Sequence, residues 1–178
     1  MAVEAQTNIK EIAPMKVLVA VDDSDLSKQM IGEITTRQWN LKTQFLILNV
    51  VSLPTADYWQ DWGLSVWPEL KEKLIAESES LVQKHVVYLK EKLGPEFAVE
   101  SKVLEGHTCD SIIQTAKEWH ADLIMVASHG RSGIEKFFLG SVAEGLLIQS
   151  PCSLEIIKIK SKAPGNKKAS AMSGSLAH

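Results

Sequence analysis

Five apolar runs punctuate the chain: KVLVAV at 16–21, FLILNVV at 45–51, AVESKVL at 98–104, DLIMVA at 122–127 and SLEIIKI at 153–159. The first, second and fourth are almost continuously hydrophobic, the pattern of parallel strands covered on both faces. Between the runs, apolar positions recur with a helical period. Leu26, Met30, Ile31 and Ile34 form one stripe, and Leu70, Leu74, Leu81, His85, Leu89 and Leu93 form a longer one that stops at Gly94-Pro95. Ile112, Ile113 and Ala116 mark a third helix; Val142, Leu146 and Leu147 mark a fourth. The resulting βαβαβαβαβ order predicts an α/β three-layer sandwich around a five-stranded, mainly parallel sheet joined by right-handed crossovers. Sheets of this kind bind ligands beyond the carboxyl ends of their strands, where the strand order reverses. Asp22 and Asp23 follow the first strand, Val51 and Ser52 close the second, and the stretch from Ala127 to Ser141 follows the fourth.

Composition narrows the class. The 178 residues fit one domain with a real core, and 45% hydrophobic with 23% charged residues is an ordinary globular balance. Residues 1–14 read as an N-terminal extension, 15–160 as the α/β domain, and 161–178 as a small, polar, basic tail expected to be disordered. A formal charge of −3 argues against nucleic acid as partner. No apolar stretch approaches the roughly 20 residues of a membrane span. The opening MAVEAQTNIKEIAPMK lacks the apolar core of a secretory signal, so a cytoplasmic location is expected. Cys109 and Cys152 have neither CxxC spacing nor a nearby histidine, which argues against a disulfide framework and against zinc. They read as small core or helix-start residues, and Cys109, at a helix start, is a candidate for a lowered thiol pKa. The connection PTADYWQDWGLSVWP at 54–68 carries Trp59, Trp62 and Trp67, either packed on the sheet edge or a helix, or placed as a lid or partner surface.

The stretch ASHGRSGIEKFFLGSVAE at 127–144 concentrates three of the ten glycines. Glycine lets backbone N–H groups approach a ligand without a Cβ in the way. A helix opening at Gly140-Ser141 would aim unpaired N–H groups and its positive dipole end into the same space. Together with donors from Arg131, Ser132 and Ser141, these residues form a candidate anion cradle, most naturally for phosphate. Taken alone, Gly140-Ser141 is a loop followed by an N-cap, and Arg131 is a solvated loop residue; the coincidence at one strand end is what points to a ligand. No G-x-x-x-x-G-K-[ST] P-loop occurs. The turn after the first strand, VDDSDLS, is acidic and lacks glycine, so phosphates belong under the fourth-strand loop. Asp22 is suited to accept hydrogen bonds from a base or sugar, or to hold a divalent cation. Asp23 and Asp25 read as acidic residues complementing a helix dipole.

These residues resemble the universal stress protein family. The likeness covers residues 15–159 and rests on KVLVAVDDS, FLILNVV, SPCSLEIIKIK and the spacing of Gly130, nine residues, then Gly140-Ser141. Nucleotide-binding members carry G-x2-G-x9-G-[ST], and Ala127 stands here at the first glycine. The resemblance implies the strand order 3-2-1-4-5 and an adenine nucleotide, ATP or AMP, with Mg2+ or Mn2+ accompanying the phosphates. It places Ala20, Asp22 and Val51 on the adenine and ribose side, with Asp22 the candidate metal contact. Ala127, His129, Gly130, Arg131, Gly140, Ser141 and Val142 surround ribose and phosphates, with Ser132 and Gly133 in the same loop. His129 occupies a variable position of the motif and reads as a loop residue rather than a catalyst. The family also implies a homodimer through the last strand, Ser153 to Ile159, and a regulatory role in stress or signalling. Two alternatives stay open: an interaction module that binds no nucleotide, which Ala127 favours, and slow ATP hydrolysis or autophosphorylation. An adenylating enzyme would want a glycine-rich turn after the first strand, which DDSDLS lacks.

Overall fold

The computed structural model describes residues 13–52, 67–130 and 140–160. The N-terminal extension up to residue 12, Trp59 and Trp62, Arg131, Ser132 and Gly133, and the tail from residue 161 lie outside the described residues.

The elements alternate as the hydrophobic pattern requires: β1 (Lys16–Ala20), α1 (Asp25–Thr35), β2 (Gln44–Val51), α2 (Trp67–Leu93), β3 (Ala98–Glu105), α3 (Thr108–Trp119), β4 (Leu123–Gly130), α4 (Ser141–Gln149) and β5 (Ser153–Lys160). All strand pairs are parallel, in the order β3-β2-β1-β4-β5. The order reverses between β1 and β4: after β1 the chain builds outward to β2 and β3 across one face, then returns to β4 and β5 across the other. One layer therefore holds α1 and α2, and the opposite layer holds α3 and α4.

Period-two side-chain alternation divides the strands between two cores. Val17, Val19, Phe45, Ile47 and Met125 join Met30, Ile31 and Ile34 of α1 and Val82, Val86 and Leu89 of α2. Leu18, Leu46, Leu48, Ile124 and Val126 face α3 and α4, meeting Ile112, Ile113 and Leu146. Each of the large side chains buried here contributes about 1.5–3 kcal/mol. Burial on both faces is why β1, β2 and β4 read as unbroken apolar runs.

Several local results depart from the sequence expectation. Leu147 is 65% exposed, so the α4 stripe consists of Val142, Ala143 and Leu146 instead. Its place in the packing is taken by Gly145, where a Cβ would sit 2.6 Å from the Cys109 sulfur: the missing side chain lets α4 settle against α3. Leu70, at the head of the long stripe, is also exposed, and the inner face of α2 runs through Val82, His85, Val86 and Leu89. Trp67 begins α2 rather than belonging to the connection before it. β4 runs three residues beyond the expected strand, to Gly130.

Two side-chain contacts tie the layers at the far ends. Trp39 stands edge-on to Phe45, with ring centroids 5.2 Å apart, and its Nε1 donates to the Ile34 carbonyl at 2.8 Å. Arg37, just past α1, forks onto Glu155 of β5 at 2.8 and 2.5 Å. Those charge-assisted bonds raise the arginine pKa and lower that of Glu155, against the opposing effect of burial on each. β5, like β3, is an edge of the sheet.

Candidate functional site

The strand-order switch places the turn after β1 beside the end of β4. Ala20 pairs with Val126, one residue before Ala127, and on the other side of β1 the Val21 N–H donates to the Leu48 carbonyl of β2 at 2.9 Å. β1 hands the chain to α1 on one face, and β4 hands it to α4 on the other. The two helix N-termini thus flank one crevice at the carboxyl edge.

The β1 turn is closed upon itself. Ser24 is the N-cap of α1, and its Oγ accepts from the Ser27 N–H at 3.2 Å. Asp22 Oδ1 accepts from the Ser24 N–H at 3.2 Å and from both the Ser24 and Ser27 hydroxyls at 2.5 Å. The Asp22 N–H donates to Ser27 Oγ at 2.9 Å. Partial burial works to raise the Asp22 pKa, and these hydrogen bonds together outweigh it, so the carboxyl is held below its ordinary value. Asp25 fills the first turn, as an acidic residue at a helix N-terminus should. Asp23 lies before the helix and pairs loosely with Lys28 at 3.8 Å.

Asn49 was not among the expected site residues. It is the one polar residue in FLILNVV, is 8% exposed, and donates from Nδ2 to the Val21 carbonyl at 2.7 Å. The bond pins the β1 turn to β2. A single polar side chain inside an otherwise apolar run was the signal that could have revealed it.

The N-terminus of α4 is built differently. Gly140 is the N-cap, with φ 83° and ψ 142°, and provides no side-chain cap; the Glu144 N–H closes the first turn onto the Gly140 carbonyl at 2.9 Å. Ser141 is the first helical residue, where the sequence places the start of this helix, and is exposed. α3 also starts without a side-chain cap, at His107, but it follows β3 at the sheet edge, away from the switch.

Of the expected site residues, Ala20, Val51 and Ala127 fall on the adjacent strands β1, β2 and β4 near their carboxyl ends, and Asp22 sits in the turn after β1. Ala20 packs toward the α3/α4 side and Ala127 toward the α1/α2 side, while Val51 is buried at the end of β2. Ala127 takes an ordinary backbone conformation within a strand, so nothing in the fold demands glycine there. His129 and Gly130 are strand residues paired with Ile159 and Lys160, which corrects the reading of His129 as a loop residue. Val142 packs into the α3/α4 core just behind Gly140 and Ser141. Arg131, Ser132 and Gly133 lie outside the described residues.

Cys109 is the buried helix-start residue expected, but its thiol is not activated. Cys109, buried in the first turn of α3, has its pKa raised by burial and by Asp110, the opposite of activation. Among the described residues no group of three or more histidine, cysteine, aspartate or glutamate side chains could hold a metal. Asp22 Oδ1 is taken up by the Ser24 and Ser27 hydroxyls. No described helix is long and apolar enough to cross a membrane.

Comparison with known proteins decides the ancestry. The model of the universal stress protein family matches residues 14–158. The chain belongs to this family. It is similar to universal stress protein MJ0531 of Methanocaldococcus jannaschii, 26% identical over 149 residues, covering 80% of this chain and 81% of the relative. Among solved structures, protein MJ0577 of the same organism superposes with a TM-score of 0.65 at 21% identity, covering 83% of this chain and 98% of that one. A universal stress protein family member from Arabidopsis thaliana, solved with AMP bound, superposes with a TM-score of 0.60 at 19% identity, covering 86% and 97%. At such identities the superpositions establish the shared fold.

Proposed function

We propose that this universal stress protein is an adenine-nucleotide-binding regulatory module that takes ATP or AMP across the β1/β4 switch. One observation carries the reading: at that switch, the helix on one side has its N-terminus filled by its own side chains, while α4 opens on Gly140 with no side-chain cap. A helix N-terminus with no side-chain cap from its N-cap residue, next to a reversal of strand order, suits phosphate. Gly140, Ser141 and Val142 would face the phosphates, together with Ala127, His129, Gly130 and the loop residues Arg131, Ser132 and Gly133. Ala20, Asp22 and Val51 would take the nucleoside side, where a carboxylate repels phosphate and accepts from ribose or base. The Arabidopsis thaliana relative bound to AMP supports the choice of adenine. A divalent cation would enter only with the phosphates of ATP.

The regulated unit would be a homodimer paired along β5, the strand that ends the sheet among the described residues. Calorimetric titration of the full chain with ATP and AMP tests the reading. Saturable binding of either is expected, together with a dimer mass by light scattering. No heat at about 1 mM of both, an affinity weaker than about −4.1 kcal/mol, would leave the non-nucleotide interaction module as the better account. Ala127, and the engagement of Asp22 by Ser24 and Ser27, are what favour that second reading.

A further inference from the structure

A cavity of about 860 Å³ lies between α1 and α2, within the size range of small-molecule sites. Ile31, Leu74 and Leu81 give it an apolar wall. Its charged lining residues come in opposite pairs, Asp23 and Glu77 against Lys28 and Lys84, so it offers no net charge to attract a phosphate. Two buried polar side chains also line it, Asn49 and His85. Asn49 is accounted for by its bond to the Val21 carbonyl. His85 is not: the residue is only 7% exposed, and its Nε2 is buried with no hydrogen-bond partner among the described residues. Native interiors rarely leave such an atom unpaired. Burial, and then the positive charge of Lys28, lower the imidazole pKa, with Asp23 opposing, so the ring is neutral at pH 7, one nitrogen a donor and the other an acceptor.

We propose that this cavity binds a neutral nitrogen heterocycle of nucleobase type, its faces against Ile31, Leu74 and Leu81 and its hydrogen-bonding edge toward His85. The cavity adjoins the nucleoside side of the proposed nucleotide site, since Asp23 follows Asp22 and Asn49 lies two residues before Val51 on the same face of β2. The heterocycle is therefore either the base of the bound nucleotide, in which case the inference rests on the nucleotide reading, or a free base or nucleoside held on its own.

Histidine-ring 15N spectra of the full chain separate the outcomes, with the His85 signal identified by its loss in His85→Asn. Adenosine is expected to shift that signal, and inorganic phosphate to leave it in place. His85→Asn should weaken adenosine about tenfold, the loss of one hydrogen bond. Leu81→Trp, which fills the cavity from its wall, should abolish the shift while the circular dichroism stays native, so the test survives if His85→Asn fails to fold. If AMP moves the same signal and adenosine adds nothing to the AMP-saturated protein, the occupant is the base of the nucleotide. If adenosine still shifts His85 in that sample, or does so when AMP gives no binding heat, the site is separate. AMP binding by calorimetry with His85 unmoved by AMP and adenosine alike overturns the inference and spares the nucleotide reading. Absence of binding by both ligands overturns both.

Discussion

Two helices start at the same edge of the sheet, on opposite sides of the β1/β4 switch, and they begin in opposite ways. At α1 the sequence DDSDLS supplies a serine cap, a second serine three residues on, and an aspartate that accepts from both hydroxyls. At α4 the sequence GSVA supplies a glycine with φ 83° and no side-chain cap. Both helices have the same backbone need, since the first N–H groups of any α-helix lack intrahelical partners. The first answers it in part with its own serine and is acidic; the second has no side-chain cap from its N-cap residue. On the proposed reading that asymmetry would put the phosphates at α4 and the nucleoside at Asp22, because a carboxylate repels phosphate.

The largest effect should come from glycine. A Cβ built on Gly140 meets nothing within 4 Å, and the same is true of Gly32 inside α1, so crowding cannot distinguish them. Backbone conformation can. Gly140 sits at φ 83°, where a side chain costs about 1–3 kcal/mol. Gly32 is helical, and alanine there removes unfolded-state freedom worth about 0.4–1 kcal/mol. Gly140→Ala should thus lower the urea midpoint and weaken AMP by shifting the amides of residues 141–143. Gly32→Ala should raise the midpoint. Equal effects of the two substitutions would mean that the α4 entry has no special geometry.

The capped side of the comparison breaks at Ser24. Ser24→Ala removes the cap and one of the hydroxyls on Asp22, an expected loss of about 0.5–2 kcal/mol at neutral pH. The deficit has a direction in pH. Asp22 is held below its ordinary pKa in the fold, so its contribution is complete above the unfolded value of about 3.9 and fades as pH falls through the lower folded value. Urea melts of wild type and variant should therefore converge in acid. A gap that stays constant from about pH 7 to pH 3 would show that the carboxylate takes no part in the cap.

Much of this arrangement was legible in the chain because its causes are local or periodic. Unbroken apolar runs announced β1, β2 and β4, and the glycine spacing marked the α4 entry. What stayed hidden depends on contacts across the fold. Leu147 matches a helical stripe, yet faces outward because Gly145 has brought the helix onto Cys109, a proximity that no local pattern reveals. Cys109 itself sits where a helix dipole would lower its pKa, and burial reverses the sign. Asp22 was chosen for a ligand from its place after β1; that two serines already hold one of its oxygens depends on the shape of the turn. The end of β4 was set too early because SHG reads as a loop, whereas the edge strand β5 extends the pairing to Gly130.

The smallest expected change is also the one with two signs. Ser141 is the first residue of α4, exposed, and next to a cap that provides no side chain. An aspartate there would meet the positive end of the helix and stabilise it by about 0.3–1 kcal/mol. The same carboxylate would stand where phosphate is proposed to bind, and like charges a few ångströms apart in a partly buried site should weaken AMP on the order of tenfold or more. Ser141→Asp should therefore raise the urea midpoint while reducing AMP affinity, whereas a merely disruptive substitution lowers both. Ser141→Asn keeps the size without the charge and should preserve most of the binding. If Ser141→Asp leaves the midpoint unchanged, the α4 amides already have partners within the protein, and the contrast between the two helix entries, with the phosphate site built on it, is lost.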